Sequence, residues 1–186
     1  MAAVQAWADR IAGELTALAA SIPSESANRL AEALHEASAV FVAGAGRSGL
    51  MGKALAMRLM HLGIKAHVVG ETATPAFGAD DVLLLGSGSG ETASLVAMAG
   101  KARQLGGTVA LVTTNSQSTI AASSDLVIEL TASQKDHAGS ERLSVQPMGS
   151  LFEQGLLLFY DAVILRLMEL SGQDGAAMYG SHANLE

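Results

Sequence analysis

One order of residues occurs twice in this chain. An apolar run, Val40-Phe41-Val42-Ala43, leads into Gly44-Ala45-Gly46-Arg47-Ser48-Gly49 and then a helical pattern over residues 50–62. A second run, Val82-Leu83-Leu84-Leu85-Gly86, leads into Ser87-Gly88-Ser89-Gly90-Glu91-Thr92 and a helical pattern over 93–105. Continuous apolar runs this short are how strands covered on both faces read. Runs at 66–69, 108–113 and 126–130 have the same character. Strands alternating with helices of this length predict βαβ units with right-handed connections. The expected fold is therefore α/β: a doubly wound, parallel sheet of about five strands with helices on both faces.

The rest of the chain is organised around that core. Residues 1–186 read as a single domain, of a length ample for one sizeable core. N-terminal helices occupy 1–38, with Trp7, Ile11, Leu15 and Leu18 on one face of the first. The α/β core spans 39–130. Gly63 and Gly106-Gly107 stand where helices end. Residues 131–147 form a long polar connection, a kind that often serves function. A long apolar helix spans 147–170, and a polar tail follows over 171–186.

Composition narrows the function. The formal net charge of −7 argues against nucleic acid as the main partner. An anionic ligand must then be held by local dipoles, hydroxyls and a few cations. The chain has no cysteine, hence no disulfide framework, thiolate metal site or cysteine nucleophile, which fits a cytoplasmic location. No stretch reads as a signal peptide. The apolar segment 155–170 contains Asp161, Arg166 and Glu169, so it reads as a buried or interface helix and no membrane association is expected. No His/Asp/Glu cluster has metal-ligand spacing; His35, His67 and His137 show no partner spacing, and His61, at a helix end after Leu59-Met60, reads as a packing histidine. Neither a metal nor another cofactor is expected.

The two loops are the candidate binding elements. Gly88 and Gly90 let backbone N–H groups approach a ligand. Ser87, Ser89 and Thr92 supply hydroxyls, and the helix start adds free amides and about half a positive charge. A phosphate monoester needs such a site. The first loop also fits the dinucleotide spacing G-x-G-x-x-G, and Glu71 stands where a ribose partner would. A second hydroxyl-rich loop favours a small phosphosugar held from both sides, with Ser48 opposite Ser89.

The pair Gly-x-Gly-x-Ser and Ser-Gly-Ser-Gly-Glu-Thr resembles the sugar isomerase (SIS) domain family. Within it the chain is similar to the 6-phospho-3-hexuloisomerases over residues 25–186. The matching segments are 41–49, Ala56-Met57-Arg58-Leu59-Met60-His61, Gly149-Ser150-Leu151-Phe152-Glu153-Gln154 and His182-Ala183-Asn184-Leu185-Glu186. The resemblance implies a flavodoxin-like SIS fold and a homotetramer. It implies conversion of D-arabino-hex-3-ulose 6-phosphate to D-fructose 6-phosphate through an enediol, in the ribulose monophosphate pathway of formaldehyde assimilation or detoxification. It also implies the roles: Glu153 as base, and His182 in ring opening or enediol protonation, in its own or a neighbouring subunit's site. Gly46, Arg47, Ser48, Ser87, Gly88, Ser89, Gly90, Glu91 and Thr92 are expected to bind substrate.

The residues themselves support Glu153 in part. It lies near the start of a strongly apolar helix, between Leu151-Phe152 and Leu156-Leu157-Leu158, and a desolvated carboxylate suits proton abstraction. The alternative is a solvent-facing glutamate in a first helical turn. Two further functions stay open: isomerisation of another phosphosugar, such as arabinose 5-phosphate, and a non-catalytic phosphosugar sensor. The second usually carries a basic DNA-binding domain, which this acidic chain lacks.

Overall fold

The computed structural model describes residues 3–132, 144–182 and 184. His137, the middle of the 131–147 connection, and Ala183, Leu185 and Glu186 of the tail lie outside them. Two helices, α1 (Val4–Ala20) and α2 (Ser24–Glu36), precede the sheet. The core follows in the order β1 (Val40–Gly44), α3 (Gly46–His61), β2 (Ala66–Val68), β3 (Val82–Gly86), α4 (Ala93–Gln104), β4 (Thr108–Thr113), α5 (Thr119–Ala122) and β5 (Leu126–Glu129). The chain continues through α6 (Ser150–Ser171) and α7 (Gly175–Tyr179).

All five strands are parallel, in the order β2-β1-β3-β4-β5. The α/β sheet expected from the apolar runs is therefore the one observed. β1, β3 and β4 are buried on both faces, which accounts for their unbroken apolar sequences. Alternate residues feed two cores. Val40, Val42, Val82, Leu84 and Val112 point to the layer that holds α2, α3 and α6. Phe41, Leu83, Leu85 and Leu111 point to the layer of α4 and α5. The first layer is the thicker. α6 packs there against α1, α2 and α3, and buries Phe152, Leu156, Phe159, Val163 and Leu167.

Several boundaries differ from those read in the sequence. α3 begins at Gly46 rather than Leu50, so most of the first glycine loop is the opening turn of a helix. α6 begins at Ser150, because residues 147–149 form a turn with Met148 at φ 55°. α6 ends at Gly172, which takes the left-handed conformation. Two short helices had gone unread. The Ser118 hydroxyl accepts from the Ala121 amide at the start of α5, and the Asp174 carboxylate accepts from Ala177 at the start of α7. In α1, Leu18 is buried while Trp7 lies at the surface under the Arg10 guanidinium. No helix among the described residues is long and apolar enough to cross a membrane.

Candidate active site

The two loops leave the sheet side by side. Gly44 and Gly86 are register partners at the carboxyl ends of β1 and β3. Strand order reverses between those two strands, which is the position where ligands bind in doubly wound sheets. The first loop is drawn tight by backbone contact. A Cβ at Gly49 would stand 2.5 Å from the Gly44 carbonyl oxygen, so only glycine lets the first turn of α3 lie against the end of β1. Ser48 is buried in that turn, and Gly46 and Arg47 are exposed.

The second loop is held by its own polar groups. The buried Ser87 hydroxyl accepts from the Gly90 amide at 3.2 Å, and Ser89 Oγ accepts from the Glu91 amide at 3.2 Å. The Gly88 carbonyl accepts from the amide of Thr114 and from the hydroxyls of Thr113 and Thr114. Gly90 takes a positive φ, and a Cβ there would overlap the Ser118 hydroxyl. Glu91 accepts from the Thr119 amide at 2.7 Å and so ties the loop to the start of α5. That bond holds the Glu91 carboxyl below the usual carboxylate range. Among the described residues, the amides of Gly88, Ser89 and Thr92 are assigned no acceptor. These N–H groups, in the loop that leads into α4, are donors of the kind an anion takes.

Glu153 lies in the first turn of α6, where its neighbour Phe152 faces Gly88 of the second loop. Its side chain is only 5% exposed. A carboxylate so far from water needs a counter-charge and hydrogen bonds. Arg47 supplies the charge, with Nη1 at 3.0 Å from Glu153 Oε2. The same Nη1 donates to Ser150 Oγ at 3.1 Å, and the Ser150 hydroxyl donates to the Pro147 carbonyl at 2.8 Å. Arg47 and Glu153 line a cleft of about 660 Å³ whose walls are Ile11 and Leu15 of α1, Met51 of α3 and Leu157, Leu158 and Leu165 of α6.

The structure thus joins two residues that the sequence had kept apart, Arg47 and Glu153. It also adds Ser150, Gln154 and the α1 wall, for which only the 149–154 motif and the Ile11/Leu15 spacing gave a signal. His182 lies elsewhere within the chain. It stacks on His61, with ring centroids 5.5 Å apart, and near Tyr179 at 6.1 Å. It lines a neighbouring cleft of about 410 Å³ that shares Asp161 and Leu165 with the first. Burial, together with the nearby Arg58 and His182, holds His61 below its usual range. Glu71, the ribose candidate of the nucleotide reading, is a surface residue 3.6 Å from Lys53 Nζ. Among the described residues, no group of three His, Asp or Glu side chains could hold a metal ion.

Known proteins are similar to this chain in sequence and fold. The family model of the SIS domain matches residues 33–156. A 3-hexulose-6-phosphate isomerase of Bacillus subtilis is 52% identical over 95% of each chain. The protein of that name from Mycobacterium gastri is 43% identical over 93% of this chain and 86% of its own. A crystal structure of a hypothetical protein from Methanococcus jannaschii superposes with a TM-score of 0.83 at 32% identity, over 96% of this chain and 98% of that one. A molecular function of 3-hexulose-6-phosphate isomerase was inferred from it.

Proposed function

The chain belongs to the SIS domain family, and on that premise we propose that it is a phosphosugar isomerase converting D-arabino-hex-3-ulose 6-phosphate to D-fructose 6-phosphate. The observation that carries this reading is a buried glutamate, Glu153, one residue from the ring that packs on the anion-suited loop. The relatives named for this reaction, at 52% and 43% identity over nearly the whole chain, support the substrate.

The chemistry follows from the carbon skeleton. The Glu153 carboxylate takes the proton from C2. The C–H electron pair becomes the C2=C3 double bond, and the C3 carbonyl oxygen gains a proton to give the enediol. The O2 proton then leaves, C2 becomes the carbonyl, and Glu153 returns its proton to C3. One carboxylate serves both transfers, and general base catalysis of this kind contributes about 10²- to 10⁴-fold. The free amides and hydroxyls of Ser48, Ser89 and Thr92 hold the phosphate, with Gly46, Gly88 and Gly90 allowing close approach. Ser87 and Glu91 act on the loop by holding its shape. His182 supplies the proton to O3 and takes up the one that leaves O2; in the reverse direction it also has a role in opening the fructose 6-phosphate ring. Within one chain it lines the adjoining cleft, so it would serve its own site by movement of the tail or a neighbouring subunit's site by assembly.

Exposed apolar side chains, including Leu50 and Met57 on α3 and Leu165 on α6, support assembly into a homotetramer. The absence of cysteine is in keeping with a cytoplasmic enzyme of formaldehyde assimilation or detoxification.

The test is formation of fructose 6-phosphate from hex-3-ulose 6-phosphate, with EDTA present. Glu153→Gln is expected to abolish turnover while fructose 6-phosphate still binds. Product formation at a near-normal kcat by that variant would remove Glu153 from the role of base.

A further inference from the structure

We infer that Arg47 is a positioning residue for Glu153, acting on the rate of proton transfer rather than on the binding of phosphate. The inference rests on the reading of Glu153 as the base. Arg47 had been expected among the phosphate ligands, and its surroundings point elsewhere. Its Nη1 sits 3.0 Å from Glu153 Oε2 and 3.1 Å from Ser150 Oγ. Ser150 is itself fixed by its bond to the Pro147 carbonyl. One donor atom therefore bridges the first turn of α6 at two points, three residues apart, from the first turn of α3.

The two partners differ in exposure, and the difference gives the direction of the effect. Glu153 is 5% exposed and Arg47 51%. The carboxylate is buried in the first turn of α6, while the half-exposed guanidinium reaches it in the cleft that both line. A buried carboxylate that loses a counter-charge loses part of its solvation and of its orientation. Removing Arg47 should thus disturb the base in place, while the free amides of the 87–92 loop go on holding the phosphate. A guanidinium serves because Nη1 carries two N–H bonds in a fixed plane, one for the carboxylate and one for the hydroxyl, whereas an ammonium's donors are not held in a plane.

The experiment measures kcat and KM for Arg47→Met, Arg47→Lys, Ser150→Ala and the Arg47→Met/Ser150→Ala pair. Arg47→Met is expected to lower kcat by about tenfold to a hundredfold, the cost of a misplaced catalytic group, with KM within about threefold of the parent. Added guanidinium ion should restore part of that kcat, because the position opens onto the cleft. Arg47→Lys should lose less kcat, again without a rise in KM. Ser150→Ala should lose little in the parent and nothing more in Arg47→Met, since the two act through one bond. A rise in KM with kcat unchanged, in Arg47→Met or in Arg47→Lys should the first not fold, would overturn the inference and make Arg47 a phosphate ligand. A loss of kcat in Arg47→Met without guanidinium rescue, and without coupling to Ser150, would also overturn it. Glu153→Gln, assayed beside them, separates the two readings. If it turns over normally the base assignment fails; if it is inactive while the Arg47 variants keep kcat, only the positioning role fails.

Discussion

Gly88 of the serine loop lies against the ring of Phe152, where a Cβ on the glycine would come 3.2 Å from the ring edge. That contact links the anion-suited loop to the turn that carries Glu153. Gly88→Ala forces the ring or the loop to give by a few tenths of an ångström. It should cost about 1 kcal/mol of stability, as mild overpacking does. The larger effect should be on kcat/KM, about tenfold or more, because loop and base shift relative to each other. Thermal melts and steady-state kinetics on the same preparation check this; a full loss of stability with unchanged kcat/KM in the folded fraction would count against the link.

Ser48 lies in the first turn of α3, after β1, and Ser89 in the loop after the neighbouring strand β3. Replacement of either by Ala should raise KM more than it lowers kcat, because a phosphate contact holds ground and transition states alike. A hydrogen bond to a charged group contributes about 1.5–3 kcal/mol, so the expected rise in KM is about tenfold to a hundredfold. The same rise should appear in the Kd for fructose 6-phosphate by calorimetry. An unchanged Kd would take the hydroxyl out of the site.

Glu14 of α1 holds the segment that leads into α6. Burial works against its charge, but bonds from the Ser144 hydroxyl, the Val145 amide and the Gln146 side chain, with Arg10 nearby, together hold its carboxyl below the ordinary value of 4.5. A folded pKa below the unfolded one contributes stability that is full above the unfolded value and fades as pH falls through the folded one. Glu14→Gln should therefore have a lower Tm than the parent at pH 7. The gap should narrow as pH drops below 4.5. Melts of both proteins across pH 3 to 7 provide the check, and a gap independent of pH would contradict it.

Met148 is the one non-glycine residue with positive φ among the described residues, and it is 73% exposed in the turn before α6. That conformation costs a side-chain-bearing residue about 1–2 kcal/mol. Met148→Gly removes the cost and adds about 0.5–1 kcal/mol of unfolded-state entropy, so stability should hold or rise by up to about 1 kcal/mol. Met148→Val should destabilise, since a branched Cβ tolerates this region least. Urea unfolding of the pair measures both signs.

Much of the protein was legible in order along the chain. Buried parallel strands carry continuous apolar runs because both faces are covered, so β1, β3 and β4, and with them the sheet, could be read directly. Glycines and hydroxyls at strand ends marked the two loops as candidate binding elements, because a helix start with small residues exposes amides whatever packs around it. Helix starts were less legible. The turn of α3 at Gly46 depends on backbone contact between Gly44 and Gly49, and α5 and α7 are too short for periodicity to register. The partner of Glu153 was not legible at all. Arg47 and Glu153 are far apart in sequence, and only the packing of α3 against α6 brings a guanidinium to a buried carboxylate. The position of His182 beside His61 was settled in the same way, by the docking of a tail against the α3 and α6 side of the fold. Local pattern determined the sheet and the residues able to do chemistry. Which of them meet was decided by tertiary packing, because an ion pair forms between surfaces that neither segment specifies alone.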